Sequence, residues 1–385
     1  MTTIAAPRVV APGRVLRDAA VEVDGGRVVA VHETAPPRPD VVLPSGVLAP
    51  GLVDLQVNGC FGADFAAADQ GEWDDLTARL TGTGVTSLLP TFITAPVEQL
   101  VEALRRTAAA LPGLPARPRA RVLGVHLEGP FLAEPRRGAH NAEHLRDPDP
   151  EAVEALLTAA DGLLALVTLA PERAGGLDAV RRLSGAGVLV SVGHSDATAE
   201  QVSAAADAGA RMVTHLYNAQ RPLHHREPGV VGQALADDRL TAGLILDLHH
   251  VAPAACRLAF AAAPGRIALV TDAAASAGMP PGRYELGGEP VVVRPGAPPL
   301  REDGTIAGSG LRLDEAVANA VGVGVDLLTA VEAATRVPAD LVGRPDLGRL
   351  APGAAADLVW LGDDLRAEAT WVGGRLAHGA PAVAA

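Results

Sequence analysis

Six short strings in this chain put imidazoles and carboxylates where an apolar run ends. They are Asp54-Leu-Gln56-Val-Asn58, His126-Leu-Glu128, Gly193-His194-Ser195-Asp196, Thr214-His215-Leu-Tyr-Asn218, Asp247-Leu-His249-His250 and Thr271-Asp272. Taken singly, each is more readily a packed structural residue than a functional one. Together they supply the parts of a metal-assisted hydrolysis. One glutamate and two histidines form the donor set of a catalytic divalent metal that keeps a position open for water. Glu128, His194 and His215 are assigned to that set. The competing readings are a satisfied core histidine for His194 and a buried ion pair with an arginine for Glu128. His126, two residues before Glu128 on the same strand face, reads as support behind the ligands. Asp272 reads as the general base and acid, its carboxylate facing the metal's water. Otherwise it caps the Ala-Ala-Ala-Ser segment that follows it.

These residues need a scaffold that brings strand ends together. Eight apolar runs, at 52–56, 85–89, 122–128, 164–169, 188–193, 212–216, 243–247 and 267–272, read as core strands. Most are separated by Ala-rich helical stretches, at 98–110, 152–160, 199–208 and 253–262 among others. Strand–helix alternation of this length predicts a (β/α)8 barrel, with its active site at the C-terminal strand ends. A doubly wound open sheet is the alternative, but no G-x-G-x-x-G follows the first strand. The first ~48 residues and the last stretch are strand-rich instead, with a hairpin signal at Asp24-Gly25-Gly26. The Pro/Gly-rich stretch 280–299 reads as an insertion or lid loop.

Composition narrows the chemistry further. The 385 residues carry 45 Asp+Glu against 32 Lys+Arg, a formal charge of −13. That balance argues against nucleic acid or an anionic membrane as the main partner. Apolar residues make up 48% and the mean hydropathy is +0.21, which excludes a disordered chain. All the basic residues are arginines; there is no lysine. Schiff-base chemistry, a P-loop lysine and a carboxylated-lysine metal bridge are therefore excluded. Cys60 and Cys256 are too few for a disulfide framework or a zinc–thiolate cluster. No run approaches the ~20 apolar residues of a membrane span, and no signal peptide is read at the start, so a cytoplasmic protein is expected.

The ordered strings resemble those of the N-acetylglucosamine-6-phosphate deacetylases of the amidohydrolase superfamily. To those above are added His126-Leu-Glu128-Gly-Pro-Phe131, Gly138-Ala-His140-Asn141, Arg226-Glu-Pro-Gly229, Gly304-Thr-Ile306-Ala307-Gly308-Ser309 and Ala351-Pro-Gly-Ala-Ala-Ala-Asp357. The resemblance runs in order from about residue 46 to the C-terminus. It implies a metal-bearing barrel, residues 49–340, and a small β-sandwich built from both chain ends, residues 1–48 and 341–385. It implies removal of acetate from N-acetylglucosamine 6-phosphate. Glu128, His194 and His215 match the family's metal ligands, Asp272 its catalytic acid/base, and His140 the histidine that polarises the scissile carbonyl. Ala139, Asn218, Ala219, Arg226 and His250, with the stretch Ile306, Ala307 and Gly308, match its substrate-binding positions. Part of the phosphate site is then completed across a homodimer interface.

Three departures refine these expectations. Many amidohydrolases carry His-x-His on the first strand for a second metal, where this chain has Gln56 and Asn58. Neither amide is a strong transition-metal ligand, so one divalent ion is expected, zinc first and iron second. His224 and His225 are additional and expected to face solvent, and Leu248 stands where the family often has glycine. Two alternatives stay open. One is a sister enzyme acting on N-acetylgalactosamine 6-phosphate or a cyclic amide; the other is a catalytically silent sugar-phosphate binder.

Overall fold

The computed structural model describes residues 1–380. Eight parallel strands form the barrel: β1 (Leu52–Val57), β2 (Val85–Ile93), β3 (Val125–Glu128), β4 (Leu164–Leu169), β5 (Leu189–Val192), β6 (Met212–Val213), β7 (Thr241–Leu244) and β8 (Ile267–Leu269). Each pairs with the next in chain order, β1 with β2 through β7 with β8. The ring closes at its C-terminal rim. There the Asp272 amide donates to Gln56 O at 2.9 Å and the Asn58 amide to Ala273 O at 2.8 Å. The strands read as continuous apolar runs because helices cover the outside and side chains fill the inside. Leu52–Val57, for instance, is buried at every position.

Helices between the strands start where the sequence supplies caps. Thr198 accepts from the Gln201 amide while the Gln201 side chain accepts from Thr198, a capping box that opens Ala199–Ala208. Asp149 caps Pro150–Ala160 with proline in the first turn.

Three boundaries differ from the sequence reading. The run 122–128 is broken at Gly124, whose φ of 142° places a would-be Cβ 2.6 Å from that of Ala165. Several strands stop early, because His194, His215 and Asp272 adopt left-handed φ values of 47°, 27° and 51°. The ladder ends before each of these three side chains. The stretch 280–299, read as a loop, contains an antiparallel hairpin, β9 (Gly282–Leu286) and β10 (Glu289–Val293). Its two-residue turn, Gly287-Gly288, has φ of 58° and 80°, the twist that suits a tight hairpin.

Both chain ends meet in one further sheet of eight strands, which holds its own apolar core. Leu358–Leu361 lies antiparallel to Val47–Pro50, stitching the C-terminal strands to the N-terminal ones. The sheet is anchored to the barrel by a bidentate ion pair of Arg121 with the buried Asp357, at 2.7 and 3.0 Å. No helix among the described residues is long and apolar enough to cross a membrane.

Candidate active site

Glu128 is the last residue of β3, and its Oε1 is the point on which the site converges. His215 Nε2 lies 2.9 Å away and His194 Nε2 3.2 Å away, with 3.1 Å between the two ring nitrogens. His194 Nδ1 faces the Arg136 carbonyl at 2.9 Å. A carbonyl only accepts, so Nδ1 carries a proton and Nε2 is the nitrogen turned to the carboxylate. Glu128 Oε1, His194 Nε2 and His215 Nε2 thus stand within 3.2 Å of one another, the arrangement of donors that a single cation would share. One ligand atom from each of the three residues fits within 4.8 Å, and all three residues are buried. Burial would raise the Glu128 pKa, yet hydrogen bonds and charge from His194 and His215 hold it well below the carboxylate range. Burial would lower His215, and Glu128 raises it instead. This donor set fits a borderline divalent metal.

Asp272 follows β8 and faces the same cluster. Its Oδ1 accepts from Asn58 Nδ2 at 2.7 Å and from Gln56 Nε2 at 3.1 Å, and Gln56 Nε2 also reaches Glu128 Oε1 at 3.0 Å. Gln56 thus donates to both carboxylates and Asn58 to Asp272. Burial and the Glu128 charge push the Asp272 carboxyl up to about 6. Behind it lies Asp54, which the sequence reading left without a role. Its Oδ1 accepts from the Gln56 and Thr271 amides, both at 3.2 Å, and its Oδ2 from the Thr271 hydroxyl at 2.7 Å. Burial drives it up to about 7.

His140 closes the reacting end from above. Its ring stands edge-on to His194 with 4.4 Å between centroids, and its Nε2 is 3.9 Å from Glu128 Oε2. Thr94, which sequence patterns did not single out, holds Nδ1: the hydroxyl lies at 2.8 Å and the backbone amide at 3.4 Å. An amide can only donate, so Nδ1 accepts and the proton sits on Nε2. Burial lowers the ring to about 3, which keeps it a neutral donor.

These groups line one cavity of about 280 Å³. Of the residues singled out from the sequence, Glu128, His194, His215, Asp272, Asn58, Ala139, His140, Asn218, Ala219, His250, Ile306 and Gly308 all reach it. His250 is fixed by Asp247, which accepts from its backbone amide at 2.9 Å and its Nδ1 at 2.7 Å. Four expectations are corrected or refined. Arg226 is exposed on the stretch after Gln220 and is absent from the lining. Ala307 turns away, packing with Ala274, Leu286 and Val291. His126 does not support the ligands: Thr91 and Thr168 engage its two nitrogens at 3.2 and 2.8 Å, tying β3 to its neighbours. Leu248 takes the left-handed φ, 63°, that a glycine would take freely, and projects outward at 39% exposure. His224 and His225 face solvent as expected. Ile93, Ile245 and Leu286 line the cavity with no motif to announce them, and Thr305 lines it from within the Gly304–Ser309 string.

A model described as the amidohydrolase family matches residues 47–377. The chain belongs to the amidohydrolase family. This amidohydrolase is 41% identical over 333 residues to an N-acetylgalactosamine-6-phosphate deacetylase of Escherichia coli O157:H7, covering 86% of this chain and 88% of that one. It is 40% identical over 343 residues to an N-acetylglucosamine-6-phosphate deacetylase of Bos taurus, covering 86% and 83%. Among solved structures it is similar to a variant N-acetyl-D-glucosamine-6-phosphate deacetylase of Mycobacterium smegmatis in complex with N-acetyl-D-glucosamine-6-phosphate. The TM-score is 0.92 at 38% identity, over 98% of this chain and 99% of that one.

Proposed function

We propose that this amidohydrolase hydrolyses the N-acetyl group of N-acetylglucosamine 6-phosphate, giving glucosamine 6-phosphate and acetate. The observation that carries the reading is the convergence of Glu128, His194 and His215 with Asp272 and His140 in one cavity. Glu128, His194 and His215 would hold one divalent ion, zinc first and iron second, and Gln56 and Asn58 replace a second. Such an ion supplies Lewis-acid polarisation and acidifies water toward neutral pH. Asp272 takes the proton from the attacking water and delivers it to the departing amine, a task suited to its raised pKa. The His140 Nε2–H donates to the carbonyl oxygen as negative charge develops there, a preorganised contact worth several kcal/mol. Asn218, Ala219 and His250 hold the far end of the substrate, keeping the amide carbonyl at the reacting groups.

Among the described residues no arginine lines the cavity. A phosphate dianion calls for one, and Arg226 stands exposed to supply it to a neighbouring copy. The working unit in this reading is therefore a cytoplasmic homodimer, each copy with a catalytic barrel at 49–340 and a small β-domain at 1–48 and 341–385. The relatives include deacetylases of both the gluco and galacto epimers. Acetate release by metal-loaded protein should be measured on both 6-phosphates and on unphosphorylated N-acetylglucosamine. The reading expects turnover of the gluco 6-phosphate and little of the free sugar. Preference for the galacto epimer would reassign the substrate, and no acetate from any of them would leave the silent binder.

A further inference from the structure

We propose that Ile93 and Leu286 form an acyl pocket that restricts this enzyme to the acetyl group and rejects longer N-acyl chains; the inference rests on the deacetylase reading. Ile93 ends β2 and is the register partner of Glu128 on β3, so it stands beside the ligand cluster on the barrel rim. The next residue, Thr94, holds His140. In a ring of eight strands β2 lies across from β6, and the loop after β6 carries Asn218 and Ala219, with His250 following β7. A substrate with its phosphate at that polar rim and its carbonyl at His140 directs the acyl substituent away from the sugar. That direction is toward β2.

The wall there is apolar. Leu286, at the end of β9, packs with Ala274, Val291 and Ala307, and with Ile93 and Ala139 at its edge. The hairpin turn presses hard on Ile93: a Cβ on Gly287 would lie 2.5 Å from Ile93 Cδ1. The hairpin is also tied to the loop that bears His140. Arg301 donates to Ala139 O at 2.7 Å and pairs with Glu289 at 3.0 Å, and Asn141 Nδ2 donates to Glu289 at 3.3 Å. The far wall is thus fixed, and each added methylene must displace packed side chains.

The test compares kcat/KM on N-acetyl-, N-propanoyl- and N-butanoyl-glucosamine 6-phosphate, using the full metal-loaded chain. Wild type should favour acetyl over propanoyl by about 10- to 200-fold, the range for one methylene in an apolar pocket. Leu286→Ala, in the hairpin outside the barrel, should reduce that ratio by at least about tenfold. The milder Ile93→Val, which spares the strand packing, should shift it in the same direction. General loosening would depress all three substrates alike. An unchanged acetyl-to-propanoyl ratio in both variants, with acetate release intact, overturns the pocket. Absence of acetate release in the wild type instead overturns the deacetylase reading itself, and the pocket with it.

Discussion

At the reacting end of the cavity, Asp272 and His140 are held by Gln56, Asn58 and Thr94, which lie at or just past the ends of other strands. At the phosphate end, His250 is held by Asp247 three residues away, and the expected cation lies on an exposed loop. The first end sits on the strand ends of a closed ring, so one chain completes it. The second is carried further along the loops after β6 and β7, and in the proposed homodimer its last charge comes from the neighbouring copy. Catalysis needs sub-ångström placement of the water and carbonyl, whereas a phosphate tolerates a contact added by assembly. Perturbing each end should therefore give different signatures.

Removing the metal should have the largest effect. Dialysis against a chelator is expected to abolish acetate release, and about one equivalent of zinc per chain should restore it, as for a catalytic site with three protein ligands. A requirement for two equivalents would break the argument that Gln56 and Asn58 stand in for a second ion. Next in size is Asp272→Asn, which keeps the shape and removes the proton carrier. We expect kcat to fall by about 10²–10⁴-fold with metal content unchanged. Near-normal kcat would place the base elsewhere.

The same contrast decides what could be read from the sequence. Strand-borne groups were legible, because a polar residue ending an apolar run has few ways to point in a barrel. Glu128, His194, His215 and Asp272 were found this way and converge in one cavity. His126 was misread because strand alternation gives its face but not its depth; threonines on both neighbouring strands satisfy it. Thr94 is not singled out by the sequence and Asp54 has no role there, because their roles lie in hydrogen bonds to residues 46 and 217 positions away. The strand ends were overestimated because left-handed φ at histidine and aspartate leaves no compositional trace, unlike glycine. The hairpin within 280–299 was masked by the prolines around it.

Arg226→Ala tests the phosphate end. We expect a loss of roughly 30- to 1000-fold in kcat/KM for the 6-phosphate, mainly through KM, corresponding to about 2–4 kcal/mol for a charge-assisted contact. The free sugar should barely respond. Mixing Arg226→Ala with Asp272→Asn subunits sharpens this result. If Arg226 serves the neighbouring copy, half the dimers carry one whole site, and about a quarter of wild-type activity returns. No recovery would mean that Arg226 acts within its own chain or on no substrate at all.

The smallest effect concerns the support behind the reacting end. Asp54 and Asp272 are both buried aspartates raised by burial, but Asp272 faces the cavity while Asp54 faces Thr271 and the backbone. Asp54 rises from 3.8 to about 7 on folding. The folded state therefore holds this proton more tightly, so the stabilisation is complete below pH 3.8 and is lost as pH climbs toward 7. In Asp54→Asn the Oδ1 can keep both amide donors, and Nδ2 can donate to the Thr271 hydroxyl, whose proton turns to Gln56 O at 3.1 Å. The variant has no proton to lose. Denaturant unfolding of both proteins from pH 4 to 8 should show the variant gaining steadily on wild type as pH rises toward 7. Taking the difference at each pH cancels the groups that both proteins share. Parallel curves would mean that Asp54 stays ionised throughout. The backbone donors around it would then outweigh its burial, and the two aspartates would differ in charge as well as in what they face.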